Sequence, residues 1–193
     1  SMATRGMRRW MAALAVLAGL GTVQAEAADK VKVGYSPEPY APFWVQDTTG
    51  NWGGFEVELI DALFKQMGKD YELVPIAWDG LIPALNSKKI DAIINSMSIT
   101  EERMKSIDFS DKYYNTPTGI IGSKDVKFDA TPEGLAGKII GVQGSTVHEA
   151  YAKKHFGATA AEIKVYQTQD EAQSDLAAGR IDAVQADSIS LVA

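Results

Sequence analysis

The side chains best suited to chemistry cluster in one stretch, Ile90 to Arg103, IDAIINSMSITEER. Asn95, Ser96 and Ser98 supply an amide and two hydroxyls, a helix starts at Thr100, and Arg103 follows one turn later. The run Ile90, Ala92, Ile93, Ile94 reads as a buried strand. A strand that opens through small polar residues into a helix N-terminus aims unpaired backbone N–H groups at one place, where an anion is favoured. The Arg103 guanidinium adds a planar fork that grips a carboxylate through two charge-assisted hydrogen bonds. An arginine on a helix surface is otherwise a solvated charge; the Ser-x-Ser-x-Thr lead-in weighs here for a ligand. The chemistry implied is recognition of a small carboxylate.

The elements that must position these groups follow from periodicity and punctuation. Lys30 to Tyr35 alternates as a strand, and Pro37, Pro39 and Pro42 then hold the loop SPEPYAPF irregular, presenting Glu38, Tyr40 and Phe43. Trp52 to Gly54 turns into a helix over Phe55 to Met67, with Leu59, Ile60, Leu63, Phe64 and Met67 at helical spacing and Gly68 as its stop. Tyr71 to Ala77 is a second strand. Asp79 is placed to cap a helix through Leu81 and Leu85, with Pro83 tolerated in its first turn. Residues 30–96 thus read strand, helix, strand, helix, strand, the pattern of a parallel sheet.

The pattern then recurs. Thr116-Pro117-Thr118 leads through Ile120 and Ile121 as a crossing between lobes, and Thr131-Pro132-Glu133 opens a short helical turn. Lys138 to Gln143 is a strand, Thr146 with Glu149 a capping box, and the helix runs to Phe156. Ala161 to Gln167 is a strand, Thr168 with Glu171 a second capping box, Gly179 a stop, and Ile181 to Ala186 a third strand. The echo is plainest between KKIDAIINS and GRIDAVQAD, whose repeated Asp91 and Asp182 read as structural. Two similar α/β lobes follow, each a mainly parallel sheet flanked by helices.

In such sheets ligands sit beyond the carboxyl ends of the strands. That places Asn95-Ser96-Ser98, Gly144-Ser145-Thr146 and Asp187 around a cleft between the lobes. Arg103, Ser98 and the helix N-terminus at Thr146 suit a carboxylate, while Asp187 and the Ser96 hydroxyl suit an ammonium group. Together they describe the head of an α-amino acid. Tyr40 and Trp78 offer flat walls for its side chain, with Glu38 and Asn95 at the far end. Each has a plainer reading too: Asp187 as a turn cap, Tyr40 and Trp78 as core aromatics, and Ser96, Ser98 and Thr146 as caps. His148 and His155 share a helix with no third ligand in view, which argues against a metal.

Composition narrows the class. A net charge of −6 over 193 residues argues against nucleic acid as a partner. Ser1 ahead of Met2 reads as a tag remnant. Arg5, Arg8 and Arg9 then precede an apolar run from Trp10 to Val23 and small residues at Ala25 and Ala27, so 1–27 is expected to be a secretory signal peptide rather than a membrane anchor. Cleavage after Ala25 removes three arginines from a chain of net charge −6 and leaves −9. Zero cysteines in an exported chain exclude a disulfide framework, a thiol-linked lipid anchor and thiol catalysis.

With WDGLIPAL, DFSDKYY, GVQGST and LAAGRIDAVQAD beside the opening stretch, the chain resembles periplasmic polar-amino-acid-binding proteins of ABC importers, chiefly the lysine/arginine/ornithine- and histidine-binding group. The resemblance covers nearly everything from Lys30 onward. It implies the two-lobed periplasmic binding protein fold, with lobe 1 over 28–115 and lobe 2 over 116–193, closing on a polar, cationic amino acid and delivering it to a membrane permease, with no cofactor. By motif, Arg103 and Ser98 would hold the α-carboxylate with backbone help from Thr146, Asp187 and Ser96 the ammonium, and Tyr40 and Trp78 would stack on the side chain beside Asn95.

Three departures stand out. Phe64 and Tyr71 occupy the neighbourhood of two cysteines the pattern often carries. The loop before Tyr40 is one residue longer, which leaves open whether Ser36 or Glu38 reads a cationic side chain. Family members also continue past Ala193 to return to lobe 1; lobe 2 is therefore expected to be incomplete, with exposed apolar surface and a tendency to associate where the full-length family is monomeric. The rival reading is a dehydratase on the same scaffold acting on a prephenate-like acid, for which Glu38 would be the acid or base. Magnitude favours a closing clamp: micromolar affinity is about −8 kcal/mol, which asks a ligand of roughly ten heavy atoms for about 0.8 kcal/mol each.

Overall fold

Alternation in Val31–Tyr35 buries Val33 and Tyr35 and makes the first strand, β1, the centre of a sheet. The structure, a computed structural model, describes residues 29–192; the expected signal peptide lies outside the described residues. After β1 come a two-residue antiparallel pair, β2 (Val45–Gln46) and β3 (Trp52–Gly53), helix α1 (Phe55–Met67), β4 (Tyr71–Pro75), a 3-10 turn (Trp78–Gly80), α2 (Leu81–Asn86), β5 (Ala92–Ile93) and the single-turn α3 (Glu101–Met104). The second half holds β6 (Thr118–Gly122), β7 (Ile139–Gln143), α4 (Val147–Phe156), β8 (Glu162–Tyr166), α5 (Gln169–Ala177), β9 (Ala183–Asp187) and α6 (Ser188–Val192).

Two sheets result. The first has the order β4-β1-β5 with both pairings parallel. The second has the order β6-β9-β7-β8, parallel except where β6 runs against β9. Leaving out β6, both sheets place the repeat's second, first and third strands side by side. The repeated aspartates are the clearest mark of the repeat: Lys32 N–H donates to Asp91 Oδ2 and Ile139 N–H donates to Asp182 Oδ2, each at 2.8 Å. In return the Asp91 and Asp182 amides donate to the Lys32 and Ile139 carbonyls. Each Ile-Asp-Ala thus ties the third strand's start to the first strand's start.

Helices cover both faces of each sheet. Ile60 and Phe64 of α1 pack with Val33, Tyr35, Phe43 and Trp44 on one face of the first sheet, while Leu81 and Ala84 of α2 meet Ile90 on the other. In the second lobe Ala152 and Phe156 of α4 pack with Ile140, and Ala172 of α5 with Val184. Full burial of such an aliphatic side chain is worth about 1.5–3 kcal/mol, which is what holds these short helices down. Leu63 and Met67 of α1 are exposed, so the buried stripe of that helix is Glu56, Ile60 and Phe64.

Several local expectations need correction. Asp79 does not cap α2: it sits in the 3-10 turn, and the α2 N-cap is Gly80 with no side-chain bond. The strand of the opening stretch is paired only over Ala92–Ile93. The Thr146 hydroxyl accepts from Glu149 N–H as a capping box requires, but the Glu149 carboxylate reaches back to Ser145 N–H, not to Thr146. Phe64 and Tyr71 pack with ring centroids 4.9 Å apart, an apolar contact in place of a covalent staple.

The entry to α1 depends on Gly54. Its φ of 105° lies where L side chains are strained, and a Cβ there would stand 2.6 Å from the Phe43 carbonyl oxygen. That approach lets Phe55 and Glu56 N–H donate to the Pro42 and Phe43 carbonyls, satisfying helix donors that lack a side-chain cap. Gly54→Ala should cost about 1–3 kcal/mol in urea unfolding; an unchanged midpoint would show that the entry can relax.

Candidate functional site

Loops at the carboxyl ends of β1, β5 and β7 meet in one cleft. From the first lobe it is lined by Ser36, Glu38, Tyr40, Trp78, Asn95, Ser96, Ser98 and Arg103. From the second come Gln143, Thr146, Val147, His148, Gln169 and Asp170. Eight of the nine residues singled out from the sequence are brought together here.

The ninth, Asp187, is not in the cleft wall. It is buried at the end of β9, where its Oδ1 accepts from Ile189 N–H at 2.9 Å and Ser190 N–H at 3.4 Å, the plainer capping geometry. Its charge still acts on two groups of the wall, the Tyr40 hydroxyl and the His148 ring.

Arg103 is the hub. The Thr100 hydroxyl accepts from its backbone N–H and starts α3. Because α3 is one turn long, an anion here meets the guanidinium more than any helix dipole. Nη1 donates to the Ser98 carbonyl at 2.8 Å and Nη2 to the Ser145 carbonyl at 2.9 Å, so one side chain spans both lobes. Trp78 Nε1 donates to the same Ser145 carbonyl at 3.0 Å, and the guanidinium lies 5.7 Å from the Trp78 ring centroid. Burial lowers the proton affinity of Arg103, yet its ordinary value is so high that it stays charged.

Asn95 is committed to structure as well as to the wall: its Oδ1 accepts from Ser36 N–H at 3.0 Å, joining the ends of β1 and β5. Glu38 accepts from Gln143 Nε2 at 3.3 Å, a second link between lobes. Burial pushes the Glu38 carboxyl up, and the neighbouring Asp170 charge adds to that. Both Ser36 and Glu38 line the cleft, but Ser36 is buried and uncharged, so of the two Glu38 is the one able to meet a cation, with Asp170 a further carboxylate of the wall.

The sequence reading did not single out Gln143, Val147, His148, Gln169 or Asp170 of the wall, nor Glu56 behind it. His148 lines the cleft, its Nδ1 3.1 Å from the Thr118 hydroxyl, with its proton affinity lowered by burial despite the opposing pull of Asp187. Only its position two residues after the cap Thr146 could have flagged it. Glu56 is fully buried beneath Ser96. Its signal was available: a carboxylate four and eight residues before Ile60 and Phe64 sits on the buried stripe of α1.

Residues 31–146 match the bacterial extracellular solute-binding proteins, family 3. The chain belongs to this family. It is 41% identical over 166 residues to the L-arginine-binding protein of Pseudomonas aeruginosa, covering 86% of this chain and 64% of that one. It is 37% identical over 187 residues to the lysine/arginine/ornithine-binding periplasmic protein of Escherichia coli, covering 95% and 72%. The family 3 chain therefore spans about two thirds of the length of these relatives. Among solved structures, an ancestral arginine-binding protein bound to arginine superposes with a TM-score of 0.79 at 36% identity, covering 84% of this chain and 72% of that one.

The raised Glu38 fixes a sign. The folded state holds that proton more tightly than the unfolded chain, so the stability Glu38 contributes is present at low pH and is lost as pH rises through the carboxylate range. Without ligand, Glu38→Gln should melt above wild type at pH 7, with the difference closing near about pH 3.5, where both states are protonated. A variant that melts lower at pH 7 would mean that the Gln143 contact outweighs desolvation.

Proposed function

We propose that this chain is a periplasmic receptor for a cationic L-α-amino acid, held between its lobes and passed to the permease of an ABC importer. One observation carries the reading: the same cleft wall holds a donor-only guanidinium, Arg103, and two carboxylates, Glu38 and Asp170. An amino acid with a basic side chain carries both the anion and the cations that such a wall can meet. The names of the relatives support the same class.

In this assignment Arg103 takes the α-carboxylate, assisted by Ser98 and the backbone at Thr146. Ser96 takes the ammonium, with the Asp187 charge behind it. Tyr40 and Trp78 flank the side chain beside Asn95, and Glu38 meets its terminal cation. Arg103 now bonds two neutral carbonyls, which orient the fork without cancelling its charge. The lobes divide between residues 115 and 116: Tyr114 stacks on Phe43 with ring centroids 4.4 Å apart, tying the segment before the boundary to lobe 1, while β6 after it joins the second sheet.

A dehydratase acting on a prephenate-like acid is the rival, and the raised proton affinity of Glu38 is the observation in its favour. It leaves Arg103 a partner but gives Ser96 and Asp187 no cation to bind.

A thermal-shift and calorimetric screen separates them. Arginine, lysine, ornithine or histidine should raise the melting temperature, and Arg103→Ala should abolish detectable binding, since a charge-assisted bidentate contact is worth several kcal/mol at about 1.5–3 per bond. Near-normal affinity in that variant would remove Arg103 from the site. Turnover of prephenate by the wild-type chain would instead establish the enzyme reading.

A further inference from the structure

Glu56 lies in the first turn of α1, fully buried, and does not line the cleft. Among the described residues no Lys, Arg or His pairs with it. A lone buried carboxylate is costly unless donors surround it. Three do: Ser96 N–H at 2.7 Å, the Ser96 hydroxyl, and the hydroxyl of Tyr113 from the segment leading to lobe 2. The N-terminus of the 13-residue α1 adds a favourable field. Ser96 itself is held at φ 54°, the left-handed region, which brings both of its donors to the same side.

That has a chemical consequence for the cleft. A serine residue has two donors, its backbone N–H and its O–H, and two acceptors, its backbone carbonyl and the hydroxyl lone pairs. Both donors of Ser96 are spent on Glu56. What Ser96 can show to the cleft is therefore acceptor only, with an unpaired negative charge directly behind it. An ammonium, with three donors and no acceptor, matches that surface, whereas a carboxylate finds nothing to receive from.

We infer that Glu56 is a positioning residue that makes Ser96 an acceptor-only contact and so fixes which way round an α-amino acid enters, ammonium toward Ser96 and carboxylate toward Arg103. The inference rests on the amino-acid reading above. It predicts that Glu56 governs discrimination for the α-ammonium without touching the ligand.

The test compares L-arginine with 5-guanidinopentanoate, which keeps the carboxylate and guanidinium and lacks the α-amino group, by calorimetric titration of the whole chain. In Glu56→Gln the affinity for arginine should fall at least tenfold while that for the analogue changes less than twofold. Ser96→Ala, which leaves α1 and its carboxylate in place, should show the same selective loss and guards against a Glu56 variant that fails to fold. The double variant should add less than twofold to either single change, since the two act as one unit. Parallel loss for both ligands, or unchanged discrimination in either variant, overturns the role of Glu56. A wild-type chain that binds neither compound overturns the amino-acid reading itself.

Discussion

The parallel pairing of β1 with β4 and β5, and of β7 with β8 and β9, is the constraint on which everything else depends. Parallel strands end on the same side of their sheet, so the loops that follow them are delivered to one edge. Ser36 follows β1, Asn95 and Ser96 follow β5, Gln143 to Thr146 close β7 and Asp187 ends β9. A hairpin sheet would have scattered these groups to opposite ends. The aspartates of the repeated Ile-Asp-Ala anchor the opposite edge of both sheets in the same way, so the two lobes present matching edges to each other.

Where the edges meet, polar groups are shared, not simply placed in contact. The Ser145 carbonyl receives both Trp78 Nε1 and Arg103 Nη2, and Gln143 reaches Glu38. Ser145 has a φ of 60°, in the left-handed region, and its N–H is held by the Glu149 carboxylate. The guanidinium is oriented by neutral oxygens that leave its charge uncancelled, and burial raises the free energy of the ionised Glu38. A cation beside Glu38 would relieve that cost. Glu38 is thus better satisfied with a cation beside it than without one.

Glu56 shows the same logic one layer deeper. A buried carboxylate, a left-handed serine and a tyrosine from the crossing segment form one hydrogen-bonded unit. Burial and the Glu56 charge push the Tyr113 hydroxyl up, so it remains a donor across the whole working pH range. The unit ties α1, the floor of the cleft and the path to lobe 2 together.

What the sequence by itself determined is what short-range chemistry encodes. The caps at Thr100, Thr146 and Thr168 bond three residues onward, Gly68 closes α1 in the left-handed region, and the repeat with its strand order follows from hydrophobic period and punctuation. Eight site residues were legible because polar groups just after buried strands must face the sheet's carboxyl edge. Only the tertiary structure decided the rest. Glu56 meets Ser96 across 40 residues and Tyr113 across 57, so neither contact leaves a trace in local spacing. Asp79 lost its cap to a 3-10 turn, and Asp187 bonds the backbone that follows it at the end of β9. In each case a side chain had two chemically sensible partners, and distance in the folded chain, which no local pattern records, made the choice.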